Sequence, residues 1–594
     1  MQNKIKKIKV IINKQSIKSD EYDEFYFHSE DGVGESNFVF IDPNNLKKKF
    51  KSSDQFMIAE LGFGTGLNFL NTWKLWLKEK KENAALNYLS FEKKPLSKNQ
   101  LNKILKNFKV FGNLPNLLIR KLPLRTTGIH EIFFEAGNIN LTLVYDNFDY
   151  IQKLNFKADA WFFDGFSPLK NKSAWSIELM KKVFKNTKAN GTFATFTSSS
   201  NVQKNLKSVG FKVFKKKGFD QKREMVFGFK INEVKNFFYN KNSIQNLLEP
   251  VAIIGSGISG CSLAYSLKKR GVKCFIIEKK KLLGDGASGN LVALQLPKLT
   301  LDNSSLGIFS LRSFFYSRSL AFNLNCAPLS DGVLVSPSRD REEVKFEKIL
   351  LNNWDKNLFH KYEGDFNLNN KISHLYPNAG IVDNKKFLKK LSDKIKLFNN
   401  FEVKDVFMDG DEKKIINQFG EVLNAKSIIW ANGFEMTNKL KNDLIIPVSG
   451  QVTYLNENSN TKNIKMNFSY GNFFSQSYSG LHQIGSTFSR ENFLSSEDNN
   501  IENINNLPNS LKKLFEFSDK NKFKSRLSVR ASTKDRLPFF GSLNNPREFY
   551  LGGMGSWGFI YAPFVAEILI RQMLHEPIIL EDFVLKSLDL ERRI

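Results

Sequence analysis

Between residues 57 and 228 the chain alternates two hydrophobic rhythms. Runs that are apolar throughout or at every second position ("MIAELG", "LNYLSFE", "INLTLVYDN", "DAWFFDGF", "GTFATFT") read as strands. Between them stand segments with apolar residues three and four apart, such as "LNFLNTWKLWLKE", "PLSKNQLNKILKNF" and "SAWSIELMKKVFKN", which read as helices. This alternation predicts an open α/β sheet with helices on both faces. The last two runs, "GFKVFKKKGF" and "REMVFGF", are too close together for a parallel crossover, so an antiparallel hairpin ends the sheet. Residues 231–250 are polar and weakly patterned and read as a linker. Beyond them "VAIIGSGISGCSLAYSLKKRGVKCFIIEKK" resumes a strand–turn–helix–strand rhythm, so 1–230 and 251–594 are predicted as separate α/β domains.

Composition refines the picture. A chain of 594 residues, 41% hydrophobic and 25% charged, can bury several cores. The N-terminus lacks an apolar run long enough for a signal peptide. The least polar long stretch, from Gly552, contains glycines, Pro563 and Glu567, and so reads as a buried loop and helix rather than a membrane span. A cytoplasmic protein with no membrane partner is expected. Cys261, Cys274 and Cys326 are scattered, with neither metal-ligand nor disulfide spacing, and no metal is expected. The net charge of +28 suits a phosphate-rich partner such as RNA, although a Lys- and Asn-rich composition alone could produce it.

The candidate chemistry of the first half lies in two loops. After the first strand comes Glu60-Leu-Gly62-Phe-Gly64-Thr-Gly66-Leu-Asn68, whose glycines let backbone approach a ligand closely. Glu92 ends the second strand, where a carboxylate can hold both hydroxyls of a ribose. This loop resembles that of S-adenosylmethionine-dependent class I methyltransferases, which also end their sheet with an antiparallel hairpin. Asp164, in "DAWFFDGFSP", ends a buried strand at the sheet edge where α/β folds bind ligands; a turn or helix cap is its plainer reading. In an amine methyltransferase such an acid could align the acceptor nitrogen and help remove its proton.

The second half opens on Gly255-Ser-Gly257-Ile-Ser-Gly260, followed about 20 residues later by Glu278, the dinucleotide fingerprint with its ribose acid. Three further pieces favour FAD over NAD: the small-residue loop "GDGASGN" with Ser288, Gly289 and Asn290, the strand "AKSIIWANG", and the glycine loop of Gly552, Gly553, Gly555 and Gly558 before a helix. No second GxGxxG follows. The order resembles the D-amino-acid oxidase group, implying an FAD-binding Rossmann domain with an inserted mixed-sheet substrate region, roughly 331–425 and 440–530. Those enzymes oxidise amines that bear a carboxylate, and Arg526, Arg530 or Arg536 could hold it, with Arg530 preferred.

Nearly the whole chain resembles the family of bifunctional tRNA 5-methylaminomethyl-2-thiouridine biosynthesis enzymes. "YDEFYFHSEDGVGESNFVFI", "AELGFGTGLNFLNTW", "ADAWFFDGFSP", "GFDQKREM", "GASGN", "PVSGQV" and "RASTKDRLPFFG" carry the resemblance. It implies FAD-dependent removal of the carboxymethyl group from 5-carboxymethylaminomethyluridine at the tRNA wobble position, then S-adenosylmethionine-dependent methylation of the exposed amine. Gly62, Gly64 and Gly66 would shape the donor loop, Glu92 would take its ribose, and Asp164 would orient the amine. Asp146 is a candidate for the adenine end, though a surface turn fits it equally, and Lys222 and Arg223 either face RNA or form a solvated turn. Trp557 stands where the family pattern has arginine, and "GNLVALQLP" departs from it as well. The rival readings are a glycine- or sarcosine-type oxidase fused to a small-molecule amine methyltransferase, and an RNA-binding platform without catalysis.

Overall fold

The computed structural model describes residues 5–591 apart from 6, 7, 13–15, 29, 135–137, 221, 222, 232–244, 246, 303, 328, 352, 353, 365, 367, 369, 370, 441–443, 492, 518–522, 544 and 546. Most of the expected linker and Lys222 therefore lie outside the described residues. Two compact units are present: Gln2–Ile244 with Leu574–Asp582, and Gln245–Met573 with Phe583–Ile594.

In the first unit, helix α1 (Leu46–Ser52) precedes strand β1 (Gln55–Leu61), helix α2 (Leu67–Glu79) and strand β2 (Ala85–Phe91). Strands β3 (Gly128–Phe134), β4 (Ile139–Tyr145), β5 (Ala158–Phe163), β6 (Thr187–Thr195), β7 (Phe211–Lys217) and β8 (Glu224–Lys230) complete one sheet, ordered β7-β8-β6-β5-β1-β2-β4-β3. The five strands from β6 to β4 are parallel, and the strands flanking them are antiparallel. Both faces of β1 and β2 are covered, which is why their apolar residues fall on both faces rather than alternating, with Glu60, Asn87 and Ser90 as buried polar exceptions. Trp73, Trp76, Phe69 and Tyr88 pack on one face; Trp161, Phe163, Phe193 and Met180 pack on the other. Strand β3 was absent from the expected pattern, because its polar His130 and Glu131 interrupt the apolar run at a sheet edge. Leu574–Asp582 also joins this unit: Ile579 enters its core, Glu581 bridges Leu154, and the Tyr150 hydroxyl donates to Glu581.

In the second unit, β9 (Val251–Ile254), helix α3 (Ile258–Lys268), β10 (Cys274–Ile277), β11 (Lys396–Phe398) and β12 (Ser427–Trp430) begin a six-stranded sheet. Strands β13 (Ile446–Asn456) and β14 (Lys524–Ser532) belong to a separate eight-stranded mixed sheet. The first sheet is finished by β15 (Phe539–Ser542) and β16 (Glu548–Gly552), in the order β11-β10-β9-β12-β16-β15, before helix α4 (Gly558–Met573). The mixed sheet takes its strands from 333–376 and 446–532. Residues 396–425, expected in the inserted region, instead supply β11 and a three-stranded meander. They do so because Phe401 and Ile415 pack with Ile428 and Trp430 of the six-stranded sheet. No helix among the described residues is long and apolar enough to cross a membrane.

Candidate active sites

Adjacent parallel strands deliver the first site. β1 and β5 end side by side, so the loop after Leu61 meets Asp164 directly, and the Asp164 N–H donates to the Leu61 carbonyl at 3.0 Å. At Gly62 φ is +102°, and a Cβ there would lie 2.6 Å from the Asp164 carbonyl oxygen. Only glycine combines that conformation with that approach. Gly62→Ala is expected to weaken S-adenosylmethionine binding by about tenfold or more, because a backbone-to-backbone clash can relax only by moving the loop. Calorimetric titration with the donor checks it, and unchanged affinity would overturn it.

A cavity of about 390 Å³ opens above these strand ends, lined by Gly62, Gly64, Asn68, Glu92 and Asp164. The Glu92 carboxylate accepts from the Gly64 N–H at 3.0 Å and the Lys94 N–H at 2.8 Å, and burial raises its pKa above the usual range. Asn68 is the hub. Its amide donates to Asp164 Oδ2 at 2.8 Å and to Glu60 Oε1 at 3.1 Å, while its oxygen accepts from the Ser36 hydroxyl at 2.8 Å. Glu60 itself is buried beneath the cavity floor, held by Asn68 and the Ser90 hydroxyl, and burial pushes its pKa up to about 7. Glu60 thus supports the site from behind. Gly66 precedes α2, and a Cβ there would lie 2.9 Å from the Phe63 ring and 3.2 Å from Leu118. Asp146 is half-buried and accepts from the Asn147 N–H, whereas its neighbours Asn147, Phe148 and Asp149 line the cavity.

An aromatic wall, not legible in the local sequence pattern, completes the cavity. Tyr22 stacks on Phe166 at 4.3 Å, Tyr26 meets the same ring edge-on at 5.3 Å, and all three line the cavity. The aromatic-rich "YDEFYF" segment was the available signal, but only long-range folding brings it to "DGFSP". The cavity's charge is also informative. In a chain of net charge +28, the carboxylates of Glu24, Glu35, Glu92, Asp149 and Asp164 line it against only Lys93 and Lys94. That donor set fits a cationic sulfonium and an amine.

The second site is a cavity of about 1590 Å³. Gly255 turns the chain at the end of β9, and a Cβ on Gly260 would lie 1.8 Å from the Gly255 carbonyl oxygen, so α3 rests directly on the strand. Glu278 accepts from the Ser256 N–H at 3.0 Å, the Ser256 hydroxyl at 2.6 Å and the Lys280 N–H at 2.9 Å. The Ser288 hydroxyl accepts from the Ile258 N–H at 2.9 Å, and an added Cβ on Gly257 would face that hydroxyl at 3.3 Å. Gly255, Gly257, Glu278, Ser288, Asn290, Gly553, Gly555 and Gly558 line one continuous cavity. Within it the Asn432 side-chain oxygen is buried without a protein partner. An unsatisfied acceptor beside a glycine turn and a helix N-terminus fits a dinucleotide, as does a wall carrying Lys279, Lys280, Arg339, Arg526, Arg530 and Arg536.

The three candidate arginines differ in their surroundings. The guanidinium of Arg526 fills the space left by the missing side chain of Gly289 and binds Asp285 at 3.2 Å, the Gly286 carbonyl at 2.7 Å and Asn290 at 3.3 Å. Gly289 therefore makes room for an arginine. Arg530 lines the cavity, donating to the Ser556 hydroxyl at 3.0 Å and to the Ser449 and Thr487 carbonyls at 3.2 Å. Its space exists because residue 450 is glycine, where a Cβ would lie 2.0 Å from the guanidinium. Arg536 lines the cavity as well. Trp557 stacks on Tyr561 at 6.0 Å, and the Lys298 ammonium lies 5.3 Å from its ring.

A methyl-donor cavity in the first unit and a dinucleotide cavity in the second define a methyltransferase joined to a flavin oxidoreductase. Family models agree: residues 110–231 match an S-adenosyl-L-methionine-dependent methyltransferase, and residues 250–572 match an FAD dependent oxidoreductase. The chain is 30% identical to the tRNA 5-methylaminomethyl-2-thiouridine biosynthesis bifunctional protein MnmC of Legionella pneumophila (strain Corby), covering 89% of this chain and 85% of that one. It is 29% identical to the MnmC proteins of Actinobacillus pleuropneumoniae serotype 5b (strain L20), covering 94% and 93%, and of Leptospira interrogans serovar Lai (strain 56601), covering 96% of each. The chain belongs to the MnmC family.

Proposed function

We propose that the chain performs two consecutive steps on the wobble uridine of tRNA. The second unit removes the carboxymethyl group of 5-carboxymethylaminomethyl-(2-thio)uridine: the N–CH2 bond on the carboxylate side loses two electrons, water adds, and glyoxylate leaves. The first unit then converts the exposed aminomethyl group to methylaminomethyl. Bound FAD supplies the two-electron acceptor, and S-adenosylmethionine supplies the electrophilic methyl group.

The observation that carries the reading is the contrast between an acid-lined cavity and a base-rich one on a chain of this family. Glu92 is suited to the donor's ribose hydroxyls. Asp164, held by the Asn68 amide at the cavity wall, is suited to accept from an amine N–H. The attacking nitrogen must be neutral, so the acid's work is to orient it and to take the proton that leaves as the new C–N bond forms. In the second unit Glu278 would hold a ribose of the cofactor, and the N-terminus of α3 would take its pyrophosphate. The turn from Gly553 to Gly558 and the N-terminus of α4 line the same cavity and would stabilise an electron-rich flavin edge there. Arg530 is suited to the carboxylate that is cut away.

The test is nucleoside mass analysis of carboxymethylaminomethyl-bearing tRNA incubated with the purified protein, without and with S-adenosylmethionine. Aminomethyluridine is expected without the donor and methylaminomethyluridine with it. If flavin is bound and neither nucleoside forms, while free N-alkyl glycine is consumed, the tRNA reading is wrong.

A further inference from the structure

We infer that the β7–β8 hairpin, together with α1, forms a docking strip for the tRNA backbone that runs up to the methyl-transfer cavity. This rests on the tRNA reading above and adds the surface by which the RNA is held. β7 is the edge of its sheet and carries Lys212, Lys215 and Lys217, all exposed. Because an edge strand is open along its side, lysines from both faces border the same edge, spaced about 3.3 Å per residue. Glu224 pairs with Lys215 at 2.9 Å.

Edge lysines by themselves guard a sheet against adding foreign strands. Two further features exceed that role. First, an aromatic ladder accompanies the charge. Phe214, 38% exposed, stacks on Phe227 at 5.7 Å and on Phe229 at 5.9 Å, and the Lys212 ammonium lies 5.9 Å from the Phe214 and Phe229 rings. Exposed rings among cations suit a nucleic acid, whose sugars and bases offer apolar faces between phosphates.

Second, the basic surface extends in both directions from the ladder. In register, Lys212 faces Phe229 and Phe229 faces Thr192, whose hydroxyl accepts from the Lys49 ammonium at 2.8 Å. Lys49 belongs to α1, where Lys47 and Lys48 are exposed. Toward the hairpin turn, Lys216 lies 4.0 Å from the Phe38 ring, Phe38 packs on Phe219 at 5.7 Å, and Phe219 packs on His28 at 5.5 Å. His28 lines the methyl-transfer cavity. The strip is thus joined to the cavity mouth through partly exposed aromatic side chains, with Asp220 paired to His28 at 3.3 Å at the junction and carboxylates outnumbering lysines within the cavity. Phosphates are favoured on the strip, and the amine to be methylated is favoured in the cavity.

The experiment is the full-length Lys212→Glu/Lys215→Glu/Lys217→Glu protein, with Lys47→Glu/Lys48→Glu as an independent second variant. For each, tRNA affinity is measured across a salt series, alongside the KM for aminomethyl-bearing tRNA. Retained S-adenosylmethionine binding shows that the unit is folded. The expected result for the triple variant is about a tenfold or greater loss of tRNA affinity, with a log–log salt slope shallower by about 2 to 3, one counterion for each lost phosphate contact. An unchanged slope and KM, in variants that bind the donor, overturns the inference and leaves the tRNA reading standing. Binding to acidic-lipid vesicles, measured alongside, that falls in the variants while tRNA affinity is unchanged overturns it as well. Wild-type protein that modifies no tRNA overturns both.

Discussion

Replacing Asp164 with asparagine is expected to slow methyl transfer to aminomethyl-bearing tRNA by about a hundredfold or more, the scale of a lost positioned proton acceptor. The geometry makes the substitution informative. The Asn68 amide donates to Asp164 Oδ2 at 2.8 Å, and Asn68 is itself fixed by Ser36 and Glu60. An asparagine at 164 must turn its own oxygen toward that donor, which puts an NH2 group in place of the other carboxylate oxygen. The acceptor amine then meets a donor where it needs an acceptor. Glu92 and the glycine loop are untouched, so S-adenosylmethionine affinity is expected to stay within about twofold, given a site whose other contacts are independent. Single-turnover transfer from labelled donor measures the first quantity, and calorimetry the second. A rate within about threefold of wild type would reduce Asp164 to the strand-end cap that its plainer reading allowed.

The second large effect is expected at Gly260. A methyl group there would lie 1.8 Å from the Gly255 carbonyl oxygen and 3.0 Å from its carbon. Both are backbone atoms, so no rotamer change relieves the contact, and α3 must move off β9. Overpacking of this kind costs about 1–3 kcal/mol, and it falls on the turn that presents the N-terminus of α3 to the dinucleotide. Gly260→Ala is therefore expected to purify with little or no flavin absorbance and to leave the carboxymethyl group in place. Methylation of tRNA that already bears the aminomethyl group should continue. Full flavin content in the variant would mean that the strand and helix separate more freely than the contact implies.

The legibility of these features in the sequence followed their range. Gly62, Gly64, Glu92, Gly255, Gly260 and Glu278 stand out because a strand, a glycine turn and a helix follow each other within one short segment. Asp164 could be placed at a ligand-binding edge from the strand that precedes it. What stayed hidden depends on distant partners. Gly289 read as a cofactor contact, yet its missing side chain is occupied by Arg526 from β14. Sorting Arg526 from Arg530 needs the pairing of β13 with β14, in which they face Val452 and Val448. Leu574–Asp582 joins the first unit through Ile579 and Glu581, and no local pattern announces partners so far back along the chain. Strand β3 escaped because an edge strand need not be apolar on both faces.

The close approach of Gly62 to the Asp164 carbonyl has an evolutionary consequence. On the proposed reading one position would serve the methyl donor and the other the methyl acceptor; their backbones lie too close for a Cβ between them, so neither could drift without disturbing the other's substrate. A lineage that needed to accept a bulkier amine could not obtain room by shifting the end of β5, because the donor loop would be displaced with it. New acceptor specificity is therefore expected to arise along the aromatic wall of Tyr22, Tyr26 and Phe166, whose side chains can change size while the strand ends stay where they are.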